Sequence, residues 1–142
     1  MSHAIEHRPE SLSVLTAEQC RHLLGAVDVG RLAVVAAGRP RMLVLNHLVS
    51  DGRVYLRTRE DALLAGLTRD GVVVHAVFEV DSSFAVGRSG WSVMATGLLA
   101  REQDEQVAGR VREHLTAWAN GEREAVLRLD VTELTGRQVG PL

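Results

Sequence analysis

The chain of 142 residues holds one cysteine, three prolines and few aromatic residues, which make up 4%. A single Cys20 excludes an internal disulfide, and its place in an apparent amphipathic helix suits a buried, inert thiol. The N-terminal stretch Met1 to Pro9 carries no apolar core or cleavage pattern of a secretory signal. No run approaches the ~18 apolar residues of a membrane span, so a cytoplasmic location is expected. Excess charge of one sign is missing too. Sixteen Lys plus Arg against 18 acids give a net charge of −2. That balance offers no global attraction for nucleic acid or an anionic membrane, so any anion site must be local.

Catalytic signatures are equally scarce. The six histidines (His3, His7, His22, His47, His75 and His114) form no metal-ligand spacing. There is no nucleophile elbow and no glycine-rich phosphate loop. His47 and His75 fall on expected strands and read as structural. Glu79 and Asp81 alternate on one strand face, as an acid–base pair or as solvated carboxylates. Neither a metal nor a side-chain nucleophile is expected.

What is present is a strand pattern with short helices. Residues 1–13 read as a loose arm. Thr16 and Gln19 form a capping box before a helix bearing Cys20, Leu23, Leu24 and Val27. Strands are expected over 31–36, 41–49 and 53–58, joined by turns at 37–40 and 50–52 into a meander. Residues 60–67 suggest a short helix with Glu60 and Asp61 in its first turn. Residues 72–80 form an apolar run suited to a strand buried on both faces. A loop over 82–89 leads to a strand over 91–101. Asp104 caps a helix presenting Val107, Ala108, Val111, Leu115 and Trp118, stopped by Asn120-Gly121. A last strand has Leu127, Leu129 and Val131 on its dry side. The expectation is one mainly β domain: about six antiparallel strands and three helices in a closed or nearly closed barrel.

Two features could carry ligand chemistry. Arg57-Thr58 ends a strand and precedes a helix, where a guanidinium and hydroxyl suit a phosphate monoester. The same pair also reads as a surface Arg and a helix cap. Trp91 beside Gly90, with Ser92 next, could hold a flat cofactor or could fill a core.

In order, several segments resemble one family. They are Gly30-Arg31-Leu32-Ala33, Gly38-Arg39-Pro40, Asn46, Arg57-Thr58, Phe78-Glu79-Val80-Asp81, Gly90-Trp91-Ser92-Val93 with Gly97, Trp118-Ala119-Asn120-Gly121 and Thr135-Gly136-Arg137. Together they span roughly residues 14–139. The chain resembles short, actinobacterial-type members of the pyridoxamine 5'-phosphate oxidase-like, FMN-binding split β-barrels. The resemblance implies a homodimer with two cofactor sites in clefts between subunits, a small-molecule substrate and hydride transfer at flavin. It places Arg57 and Thr58 at the cofactor phosphate, Asn46, Trp91 and Ser92 beside the ring system, and Trp118 as a contribution from the partner subunit.

The departures bear on the cofactor. Family members that bind FMN well carry a Lys a few residues after Arg-Thr, where this chain has Leu63. One charge-assisted hydrogen bond contributes roughly 1.5–3 kcal/mol, or about one to two decades in affinity. Arg59 is the nearby candidate to compensate. Val44 stands for the family's Pro before the strand Asn, His47 for an aromatic, and Ala117 for the Pro before the second Trp. The ending Gly140-Pro141-Leu142 lacks the basic, histidine-bearing motif of true pyridoxamine-phosphate oxidases, so vitamin B6 oxidation is not expected. The alternatives are a reductase using the deazaflavin coenzyme F420 and a dimeric binding module without tight flavin.

Overall fold

The computed structural model describes residues 12–82, 89–115 and 125–140. It contains eight strands: β1 (Ser13–Val14), β2 (Val29–Ala36), β3 (Arg39–Asn46), β4 (Leu48–Ser50), β5 (Arg53–Thr58), β6 (Val74–Asp81), β7 (Gly90–Arg101) and β8 (Ala125–Val139). Three helices, α1 (Ala17–Leu24), α2 (Leu63–Leu67) and α3 (Glu105–His114), are joined by a 3-10 turn at Arg69–Gly71. All ladders are antiparallel, in the order β3-β2-β6-β7-β8-β5-β4, with β1 added beside β8. The two ends of that order, β3 and β4, are consecutive in the chain and joined through His47 alone. The sheet therefore curls back on itself, and the covalent chain links its two ends.

Local chemistry explains most of the elements. The Thr16–Gln19 capping box forms as expected, with Gln19 N donating to Thr16 Oγ1 (3.2 Å) and Thr16 N to Gln19 Oε1 (2.9 Å). Asp104 caps α3 by accepting from Gln106 N at 3.0 Å. The two hairpin turns place Ala37-Gly38 and Asp51-Gly52 at positive φ, the conformation that two-residue hairpins require. Inside the sheet, Gly97 sits at a register shift between β7 and β8. A Cβ there would collide with the Asp130 carbonyl, so the close backbone approach needs glycine.

The strand expectations require five corrections. Eight strands replace about six, because β1 pairs with β8 and the expected strand over 41–49 is broken at His47. The meander does not form as one ladder: β2 pairs with β3 and β4 with β5, while β5 takes β8 as its other neighbour. Pro40 lies in β3 opposite Val35 rather than in the turn, tolerated because β3 ends the sheet order. The run over 72–80 is not buried on both faces. Val72 and Val73 are exposed before β6 begins, and β6 buries only Ala76, Phe78 and Val80 fully. The last strand extends over 15 residues, Ala125–Val139.

Two helix expectations change as well. α2 starts at Leu63, and no side chain caps it among the described residues. Glu60 and Asp61 precede it and pair with Arg101 and Arg59 instead. α3 ends at His114, so the expected stop at Asn120-Gly121 and the apolar position Trp118 lie outside the described residues.

The interior holds Leu32, Phe78, Val80, Val93, Leu99, Leu127 and Leu129, each fully buried. Cys20 is buried beneath α1 against Gly136, and burial raises its pKa, as an inert thiol requires. A second cluster lies outside the barrel wall, where Ala108, Val111 and Leu115 on and after α3 cover Tyr55 and Val126.

Candidate functional site

Strand alternation sorts the candidate residues by face. The even residues of β2 and β6 point inward, so Arg31, Glu79 and Asp81 point outward. Register then aligns Val44, Arg31, Glu79, Met94 and Thr135 across the outer surface. One row further on, Asn46 pairs with Val29, and Ser92 lies between Asp81 and Arg137. Asn46 and Ser92 thus share the outer face at one end of the sheet. Two strands separate them, roughly 14 Å at the usual strand spacing.

Between them lies a charged network. Arg31 Nη1 donates to Glu79 Oε1 at 3.1 Å and to Asp81 Oδ2 at 2.8 Å. Partial burial raises the Glu79 pKa, and Asp81 adds to it through a hydrogen bond and like charge. Glu79 and Asp81 therefore do share one strand face, half-buried, as the alternation indicated. Their partner Arg31 was not foreseen, because the contact spans 48 residues and depends on the β2–β6 register.

Arg57 and Thr58 stand at the end of β5, opposite Val126 and Ala125. Thr58 is buried on the inner side. Arg57 turns outward, and its Nη1 donates to Leu115 O (2.7 Å) and Arg112 O (3.3 Å) at the C-terminal end of α3. A cation there complements the carbonyl end of the helix dipole. Asn46 and Arg57 each lie two residues beyond Leu48↔Tyr55, the last pair of the β4–β5 ladder, and β3 touches β5 nearby. The fold therefore brings an amide and a guanidinium toward one end of the barrel.

Arg59, the candidate to stand in for the cation missing at Leu63, is paired with a nearby acid. Its guanidinium makes a two-pronged pair with Asp61, Nε to Oδ1 and Nη2 to Oδ2, both 2.9 Å. The chain has no lysine at all, since every one of its 16 basic residues is arginine.

Trp91 and Ser92 point to opposite faces of β7. Ser92 belongs to the outer row, whereas Trp91 packs against the inner core and lines a groove beside α1. Trp118 lies outside the described residues. Sequence reasoning read His47 as structural but placed it within a strand, whereas it sits at the break between β3 and β4. The ring is buried, packs edge-on to Phe78 at 4.8 Å, and donates from Nε2 to Leu24 O at 2.8 Å. Its Nδ1 is buried without a hydrogen-bond partner among the described residues. Burial lowers its pKa. The expected structural role is the one observed, although the ring sits in a gap between strands rather than within one. His75, the other histidine read as structural, is exposed on β6. No metal-binding cluster of His, Cys, Asp and Glu occurs among the described residues.

The curled antiparallel sheet with three short helices is a split β-barrel. The sequence profile of the pyridoxamine 5'-phosphate oxidase family matches residues 16–138, and the chain belongs to that family. An uncharacterised protein of Mycobacterium tuberculosis is 34% identical over 129 residues, covering 88% of this chain and 84% of its own. Among solved structures, an FAD-binding protein from Mycobacterium smegmatis superposes with a TM-score of 0.73 at 24% identity, covering 89% of this chain and 98% of its own. An FAD-binding protein from Mesorhizobium loti gives 0.74 at 22% identity, covering 92% and 99%. At those identities the structural matches establish the fold.

Proposed function

We propose that the protein is a homodimeric flavin-binding oxidoreductase that uses FMN and acts on a small molecule in the cytoplasm. The observation that carries this reading is the outer face of the sheet. Met42, Val44, Val35, Met94 and Leu98 are exposed there, all to one side of the polar row that contains Asn46 and Ser92. An apolar patch rimmed by polar residues marks an interaction surface. A second copy covering it would enclose Asn46 and Ser92 in a cleft between subunits. Family membership and the FAD-binding structural relatives support a flavin as the group held in that cleft.

The donor set fits such a group in kind. Arg57 supplies a cation for phosphate, while Asn46 and Ser92 supply amide and hydroxyl groups for the ring edge. The Thr58 hydroxyl lies on the inner side of β5 and would have to be approached from there. Arg57 is held in one orientation by the α3 carbonyls, which reduces the ordering cost of binding. Trp118 would come from the partner subunit. Bound flavin supplies hydride transfer. The chain's own residues bind it, orient it and, with the apolar rim, exclude water.

Purified protein tests the reading directly. An absorption band near ~450 nm and FMN released by acid are expected of a flavoprotein. Colourless protein that takes up no FMN at micromolar concentration would sink it. Leu63 and the Arg59–Asp61 pair leave the phosphate end short of one cation, which favours a second reading in that event. Titration with the deazaflavin coenzyme then separates a deazaflavin reductase from a dimeric module that holds neither cofactor.

A further inference from the structure

Gly90-Trp91-Ser92-Val93 divides its two polar-capable side chains between two environments, and only Ser92 faces the proposed flavin cleft. Trp91 forms a wall of a separate groove of about 630 Å³ between α1 and the ends of β7 and β8. Leu15, Leu23 and Trp91 give it an apolar surface, and Glu18, His22 and Gln138 stand at its rim. That volume lies within the range of small-molecule sites. The Trp91 backbone is fixed, since Trp91 N donates to Ser82 Oγ (3.0 Å) and Ser82 N to Trp91 O (3.0 Å).

Among the described residues that line the groove, Glu18 is the only carboxylate and His22 the only basic side chain. Thr16 and Gln19, which also line it, are engaged with each other in the capping box. Glu18 contributes a carboxylate that makes no ion pair among the described residues. No arginine lines the groove among the described residues. A Trp face attracts a cation through its ring quadrupole, most strongly where the cation is weakly hydrated. A carboxylate at the rim of the same groove attracts the same ligand and repels an anion of equal size.

We propose that this groove binds a small organic cation with an aromatic body, of the quaternary ammonium or pyridinium kind, separately from the flavin cleft. The Trp91 ring would face the cation, Glu18 would balance its charge, and Leu15 and Leu23 would take the apolar body. The site therefore gives the Trp in this segment a role that the outer face does not.

Benzyltrimethylammonium is a suitable probe, titrated into the full chain with and without FMN and followed by saturation-transfer NMR. Saturable binding of this cation is expected, with none for phenylacetate at the same millimolar concentration. Glu18→Gln should weaken it by about threefold to fivefold, as an exposed charge contact does. Trp91→Phe should weaken it too, with a circular-dichroism melt showing that the barrel is retained; if that variant unfolds, Glu18→Gln decides alone. Glu113→Gln, an exposed carboxylate on α3 outside the groove, should change nothing. Absence of saturation, equal binding of phenylacetate, or indifference to Glu18→Gln would each overturn the proposal. Competition between the probe and FMN would overturn it as well, by placing the cation in the flavin cleft. Failure to bind FMN, by contrast, bears only on the flavin reading.

Discussion

The outer surface of the barrel has two halves that the same alternating strand pattern treats differently. Under α3, Tyr55 is 4% exposed and Val126 2%, because Ala108, Val111 and Leu115 lie across them. On the other half, Met42 is 68% exposed, Val35 64% and Val44 61%. Both halves carry large apolar side chains at outward positions. The chain supplies its own cover for one half and leaves the other open. Burying an apolar side chain of this size contributes about 1.5–3 kcal/mol, so the open half holds a substantial unused driving force for association.

Substitutions on the inner face and on each outer half should separate these contributions. Phe78→Ala removes the largest fully buried side chain and should cost about 3–5 kcal/mol in urea unfolding, whatever the oligomeric state. Met94→Asp places a charge on the open half. It should leave the unfolding of the isolated subunit nearly unchanged and weaken self-association by about a hundredfold in sedimentation velocity. An unchanged sedimentation profile would mean that this half stays open in solution.

Arg57→Ala acts on the covered half. It should cost about 1.5–3 kcal/mol of stability through the lost α3 carbonyl contacts. It should also weaken FMN binding by about one to two decades if the guanidinium meets the phosphate. Loss of stability with unchanged affinity would confine Arg57 to its helix contact.

The smallest effects concern pH. Burial lowers the pKa of His47, so the folded form resists a proton that the unfolded chain accepts. Its contribution to stability is complete above histidine's usual pKa of about 6.5 and is lost as pH falls toward the folded value. Glu79 runs in the opposite sense. Its pKa is raised, so its contribution is present below the usual carboxylate range and is lost as pH rises through the folded value. Thermal melts of His47→Leu and Glu79→Gln across mildly acidic pH should each remove one of the two slopes.

Much of the fold was legible because short-range chemistry decides it. The Thr16–Gln19 box, the Asp104 cap and the Asp51-Gly52 turn depend on neighbours within a few residues. The break at His47 was not legible. It depends on the Leu24 carbonyl and the Phe78 ring, which arrive from elsewhere in the chain. The length of β8 escaped for a related reason: residues 133–139 carry little apolar alternation and are held as strand by pairing with the distant start of β7.

The candidate site divides in the same way. Asn46, Arg57, Thr58, Trp91 and Ser92 were all visible as residue types in a recognisable order. Only register could show that Asn46 and Ser92 share an outer row with Arg31, Glu79 and Asp81. Strand geometry also turned Trp91 away from Ser92, since consecutive residues face opposite sides. By itself, the sequence determined the class of fold, the helix caps and the hairpins, because those follow from local backbone and side-chain preference. Tertiary structure alone decided which outward residues became neighbours and which apolar positions were covered, because both depend on how distant strands pair and where α3 comes to rest.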